Sequence, residues 1–107
     1  MVRKAYLLRL KPDSLEGYTY WHDNIWPELV DEMVTQGIHN ITLWNVDDMV
    51  FLSSEVEDED TWQKFWDTDV HRRWGDVMNP FMHYRDDGIV DSREIKEIWH
   101  IEPGTRA

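Results

Sequence analysis

His22 stands four residues after Tyr18 in "YTYWHDNIWPEL" (18–29), a stretch that also carries rings at Tyr20, Trp21 and Trp26. At helical spacing the phenol and the imidazole share one face and can point at a single object. An imidazole titrating near its ordinary value of about 6.5 gives or takes a proton at neutral pH, which makes histidine the commonest general acid or base. A second group lies in "TDVHRRWGDVM" (68–78), where Asp69 is followed by Arg72 and Arg73, the densest positive charge of the chain, and by Trp74. Here Trp74 can offer a ring to a ligand beside an anchoring Asp or Arg. Each pattern also has a plainer meaning: a Tyr/His pair satisfied inside a core, and an acid at a helix N-terminus beside a surface ion pair of little worth.

Other chemistries find no residues. There is no cysteine, so disulfides, thiolate nucleophiles and zinc–thiolate sites are excluded. His22, His39, His71, His83 and His100 show no H-x-x-x-H or H-E-x-x-H spacing, and a metal would need ligands drawn from distant strands. No glycine-rich phosphate loop or G-x-S-x-G elbow occurs. Paired carboxylates carry no signal, because 22 Asp and Glu make chance pairs certain.

The charge balance narrows the ligand. Eleven Lys and Arg against 22 Asp and Glu give a formal net charge of −11, which repels phosphate backbones and heavily phosphorylated substrates. Nucleic acid is therefore not an expected partner, and a neutral ligand fits better. Seven tryptophans in 107 residues exceed what a small core hides, so a ring-lined site or an aromatic dimer interface is expected. The opening "MVRKAYLLRLKP" has only a short apolar run broken by Arg9 and Lys11, and no stretch reaches the ~20 apolar residues of a membrane span. We expect one domain over 1–107, cytoplasmic, with no membrane partner.

The elements that must position these residues follow from periodicity. "VRKAYLLRL" reads as a strand stopped by Pro12. Asp13 and Glu16 form a capping-box pattern, opening a helix with Leu15, Tyr18, His22, Ile25 and Leu29 on one face and Gly37 at its end. Pro27 must kink or restart that helix, which puts His22 just before an irregularity. "NITLWNV" and "MVFLSSEVE" flank Asp47-Asp48 as a hairpin. A helix bearing Trp62, Phe65 and Trp66 breaks at Thr68-Asp69 and resumes with Val70, Trp74, Val77, Met78 and Phe81. The polar loop 83–92, with Gly88, is a candidate lid, and "REIKEIWHI" reads as a final strand with Ile95, Trp99 and Ile101 on one side. The order β-α-β-β-α-β predicts the ferredoxin-like α+β pattern, a four-stranded antiparallel sheet with helices on one face. Several strands are apolar on both faces, so a second copy is expected to cover the other.

The motif Y-x-x-x-H-x-x-I-W-P-E-L (Tyr18, His22, Ile25, Trp26, Pro27, Glu28, Leu29), with "GIHN" (37–40), "TDVHRRW" (68–74), "RKAYLLRLKPD" at the start and "EIKEIWHIE" at the end, resembles the L-rhamnose mutarotase family over nearly the whole chain. The resemblance implies a dimeric α+β barrel and an isomerase that interconverts the α and β anomers of a 6-deoxy-L-sugar without a cofactor. It places the proton donor on His22, a sugar-contacting tyrosine on Tyr18 and a ligand tryptophan on Trp74. With Trp26 and Asp69 these form the expected set, His22 catalytic and Tyr18, Trp26, Asp69 and Trp74 binding substrate. Two positions depart: Ile41 stands where the family has a second sugar-contacting tyrosine, and Gly75 where it has the second of two tandem tryptophans. L-rhamnose is the first substrate expected and L-fucose the alternative. A reading of another class is a non-catalytic barrel that binds a small molecule among its tryptophans. The residue that takes the anomeric proton stays open among His22 through water, Tyr18 and Asp69.

Overall fold

A computed structural model describes residues 1–105. Strand β1 (Val2–Arg9) leads to helices α1 (Leu15–Asp23) and α2 (Pro27–Gln36), then to strands β2 (Ile38–Val46) and β3 (Met49–Val56). Helices α3 (Thr61–Trp66) and α4 (Asp69–Met78) follow, and β4 (Ser92–Ile95) completes a four-stranded sheet in the order β2-β3-β1-β4. All three pairings are antiparallel, which is the ferredoxin-like arrangement expected.

Pro27 restarts the first helical stretch rather than kinking it. It occupies the first turn of α2, where its missing N–H costs nothing, and α1 ends four residues earlier. The expected capping box does not form: Ser14 is the N-cap of α1 and makes no side-chain cap bond, while Asp13 is turned away at φ 61°. Gly37 closes α2 at φ 94°, and a Cβ there would stand 2.6 Å from Glu57 Cγ. The second helical stretch divides where Thr68 caps α4, its Oγ1 accepting from the His71 backbone N–H at 3.3 Å.

Helices cover one sheet face. Val50 and Val56 are buried beneath them with Leu29, Phe65, Trp62 and Trp74. Trp62 Nε1 donates to Ser54 Oγ at 2.9 Å, and Ser54 in turn donates to the Lys4 carbonyl at 2.9 Å, so the buried polar atoms between α3 and the sheet are satisfied. The opposite face has no helix. Strand pairing puts Trp44 opposite Phe51 and Ala5 opposite Ile95 on it, and Trp44, Val46, Phe51 and Ile95 are all exposed.

The last strand is shorter than its apolar pattern. β4 ends at Ile95, and Ile98 and Trp99 are left 92% and 75% exposed. Continuing the register of Ala5 opposite Ile95 would bring Val2 opposite Ile98 and leave His100 and Ile101 no residue of β1 to pair with. No helix of the described residues is long and apolar enough to cross a membrane.

Candidate active site

The last turn of α1 faces the β2 end of the sheet across a cavity of about 230 Å³. That is just under the ~300–1,000 Å³ of clefts that hold drug-sized ligands, a volume suited to something smaller. α1 contributes Tyr18, Thr19, His22 and Asp23; β2 contributes Leu43, Trp44 and Asn45. The helical spacing that joined Tyr18 to His22 in sequence therefore turns both toward one open volume.

His22 is held on two sides. Its Nδ1 lies 2.8 Å from the Tyr18 carbonyl oxygen, which can only accept, so Nδ1 carries the hydrogen and the neutral ring keeps its lone pair on Nε2. The Tyr18 ring lies 4.4 Å away, tilted by 37°. On another side the Trp74 ring meets the imidazole edge-on at 5.4 Å. Burial lowers the His22 pKa below its ordinary value, against a smaller opposing pull from the Tyr18 carbonyl and the Asp23 carboxylate. At pH 7 the ring is neutral and poised to accept a proton at Nε2. Burial pushes the Tyr18 phenol up to about 12, so it stays protonated.

The remaining expected residues gather behind this group rather than in the cavity wall. Trp74, read as a ring offered to a ligand, is only 6% exposed, because Val70, Trp74 and Met78 form the buried stripe of α4. Its partner is Trp26, edge-on at 5.2 Å, and the Arg73 guanidinium sits 5.9 Å from the Trp26 ring centre. Arg73 grips Glu28 through two bonds of 3.0 and 3.2 Å, which hold the Glu28 carboxyl below its usual range. Asp69 joins the same guanidinium at 3.3 Å with its side chain 81% exposed, so it is an ion-pair partner on the surface and not part of this cavity. The two motif blocks thus meet in space: Trp26 and Glu28 of the first dock on Arg73 and Trp74 of the second.

Thr19, Asp23, Trp44 and Asn45 line the cavity and were not singled out by sequence reasoning. One signal existed. Ile41, Leu43 and Asn45 alternate toward the helices, and an amide in that apolar series marks a polar opening. The loop 83–92, the candidate lid, is folded on itself: Arg85 N–H donates to the Ile89 carbonyl at 2.8 Å, and His83 Nδ1 meets Asp91 at 3.2 Å. It contributes nothing to the lining of the cavity. Among the described residues no group of three His, Asp or Glu is placed to hold a metal ion.

Comparison with known proteins bears on what such a site does. Residues 3–101 match the family model described as L-rhamnose mutarotase. The chain is 31% identical over 104 residues to the L-rhamnose mutarotase of Oceanobacillus iheyensis, covering 95% of this chain and 100% of that one. Its fold is similar to the crystal structure of an L-rhamnose mutarotase from Formosa agariphila, with a TM-score of 0.80, 20% identity and coverage of 95% and 100% of the two chains. A dimeric ferredoxin-like protein from an uncultured marine organism is similar at a TM-score of 0.61, 13% identity and 94% coverage of each.

Proposed function

The chain belongs to the L-rhamnose mutarotase family, and from that premise we propose that it interconverts the α and β anomers of a 6-deoxy-L-sugar, L-rhamnose first, with His22 moving the proton. The observation that carries the reading is the neutral imidazole, tied through Nδ1 to the Tyr18 carbonyl at 2.8 Å, beside a cavity of monosaccharide size.

The reaction asks for little else. The anomeric O–H bond breaks as Nε2 of His22 takes the proton. The C1–O5 bond then opens as the aldehyde carbonyl forms, and the ring oxygen receives the proton back from the imidazolium. Rotation about C1–C2 and reclosure by the reverse steps deliver the other anomer. O1 and O5 share one carbon, so a single nitrogen between them, directly or through water, can serve both. Tyr18 orients the imidazole through its carbonyl and its ring. Trp74, with Trp26 and Arg73 behind it, backs His22.

Exchange between anomers, read by saturation-transfer NMR, tests this. A positioned acid or base contributes typically ~10²–10⁴-fold, so His22→Ala is expected to slow enzyme-dependent exchange by at least ~100-fold; exchange at the wild-type rate would remove His22 from the mechanism. The working form is the neutral ring, whose pKa lies below its ordinary value of about 6.5. The rate is therefore expected to be flat above that value and to fall as pH drops through the lowered one. A rate that rises instead on acidification would mean that the imidazolium acts first. Ile41 and Gly75 stand at the positions that depart from the family pattern, and L-fucose is the second sugar to assay.

The same reading includes a homodimer in the cytoplasm. Support comes from the helix-free sheet face with Trp44, Val46, Phe51 and Ile95 exposed, from the bare Ile98 and Trp99, and from the likeness to a dimeric ferredoxin-like protein. A chain without cysteine needs no oxidising compartment.

A further inference from the structure

Resting on the reading of this cavity as a sugar site, we propose that Asp23 and Asn45 are its hydroxyl readers: they grip neighbouring ring hydroxyls from opposite walls and so decide which sugars bind. Asp23 closes α1, one residue beyond His22, and Asn45 faces the helices from β2. Both line the cavity.

Their bonding state decides what they can do. The Asn45 amide spends both hydrogens on its own turn, donating to the Asp47 carbonyl at 2.8 Å and to the Met49 carbonyl at 3.1 Å. Its oxygen is left as an acceptor, and the hairpin turn holds it in place. The Asp23 carboxylate only accepts. Among the described residues no hydrogen bond or ion pair engages it. His22, with its hydrogen on Nδ1 committed to Tyr18, offers the cavity only the Nε2 lone pair.

Three acceptors thus face one small volume from two elements. A ligand that satisfies them must bring donors, and a neutral sugar brings hydroxyls on adjacent carbons. The anomeric hydroxyl belongs to His22, which leaves the ring hydroxyls to Asp23 and Asn45. A charged acceptor makes the stronger bond to a hydroxyl, so Asp23 carries most of the discrimination. Asp23 is a positioning and specificity residue, and Nε2 of His22 remains the group that moves the proton.

The test separates binding from turnover. A 1,5-anhydro-6-deoxy-L-hexitol keeps the ring hydroxyls but has no anomeric hydroxyl, so it binds without reacting, and its affinity is read by ligand-observed NMR. Asp23→Ala is expected to weaken it by about tenfold to a hundredfold, the range for a hydrogen bond to a charged group, with a smaller loss for Asp23→Asn. Because Asp23 is exposed at a helix end, its variants keep the fold, and a circular-dichroism melt checks this. In anomer exchange, KM is expected to rise with kcat within a few-fold. A deoxy analogue lacking the hydroxyl held by Asp23 is expected to bind wild type poorly and to lose nothing further with Asp23→Ala. The proposal is overturned if wild type and Asp23→Ala bind the hexitol equally, or not at all, or if kcat falls while KM is unchanged. Asp23-dependent binding of the hexitol without accelerated exchange would sink the mutarotase reading and leave the hydroxyl readers standing.

Discussion

At the scale of single residues, burial sorts the histidines into different tasks. His22 is half-buried at a cavity, its proton steered to Nδ1 by the Tyr18 carbonyl. His71 is inert by comparison: its ring lies 4.9 Å from the Phe65 ring, and burial drives its pKa down to about 4. The consequence for stability has a definite sign. An unfolded histidine binds its proton near pH 6.5, whereas folded His71 does so only near 4, so between these values the unfolded chain takes up more protons. His71 therefore adds nothing to acid sensitivity above about pH 6.5, and stability is lost as pH falls from there toward 4. Partial exposure limits the effect to roughly 2–3 kcal/mol. Urea midpoints at pH 4.5 and 7.5 measure it: His71→Gln is expected to narrow the gap between them, and an unchanged gap would assign acid sensitivity to other groups.

At the scale of elements, two glycines make opposite predictions. Gly37 ends α2 in left-handed backbone, with Glu57 side-chain carbon within 2.6 Å of where a Cβ would lie. Gly37→Ala is expected to cost about 1–2 kcal/mol from backbone strain alone. Gly75 sits inside α4 with no atom within 4 Å of a built Cβ. Gly75→Ala is expected to raise stability by about 0.5–1 kcal/mol through helix propensity. Thermal melts of the two variants should move in opposite directions; a loss in both would mean that the space beside Gly75 is occupied. The elements also show what local patterns convey. Pro27 and Gly37 announced their roles because proline fixes φ and glycine tolerates positive φ whatever surrounds them. The Asp13–Glu16 capping box misled, since the chain turns at Asp13 and gives the N-cap to Ser14.

For the whole molecule, the bare sheet face and the exposed Ile98 and Trp99 carry the prediction. Sedimentation equilibrium at micromolar concentration is expected to report about 26 kDa, twice the 13.0 kDa of one chain. Phe51→Lys puts a charge on that face and should shift the equilibrium toward 13.0 kDa. A wild-type monomer would leave Ile98 and Trp99 without an explanation.

The sequence by itself determined the order of the strands and helices and the shared face of Tyr18 and His22, because periodicity and four-residue spacing are local properties that folding preserves. It also marked the two motif blocks. How they meet was decided only in three dimensions: Arg73 bonding Glu28 across 45 positions, and Trp74 turned inward behind His22 rather than out to a ligand, depend on how α4 rotates against α2. The cavity wall from β2 was hidden for the same reason. Asp23, Trp44 and Asn45 become neighbours of His22 only when the sheet brings its edge beneath α1, and no spacing along the chain encodes that approach.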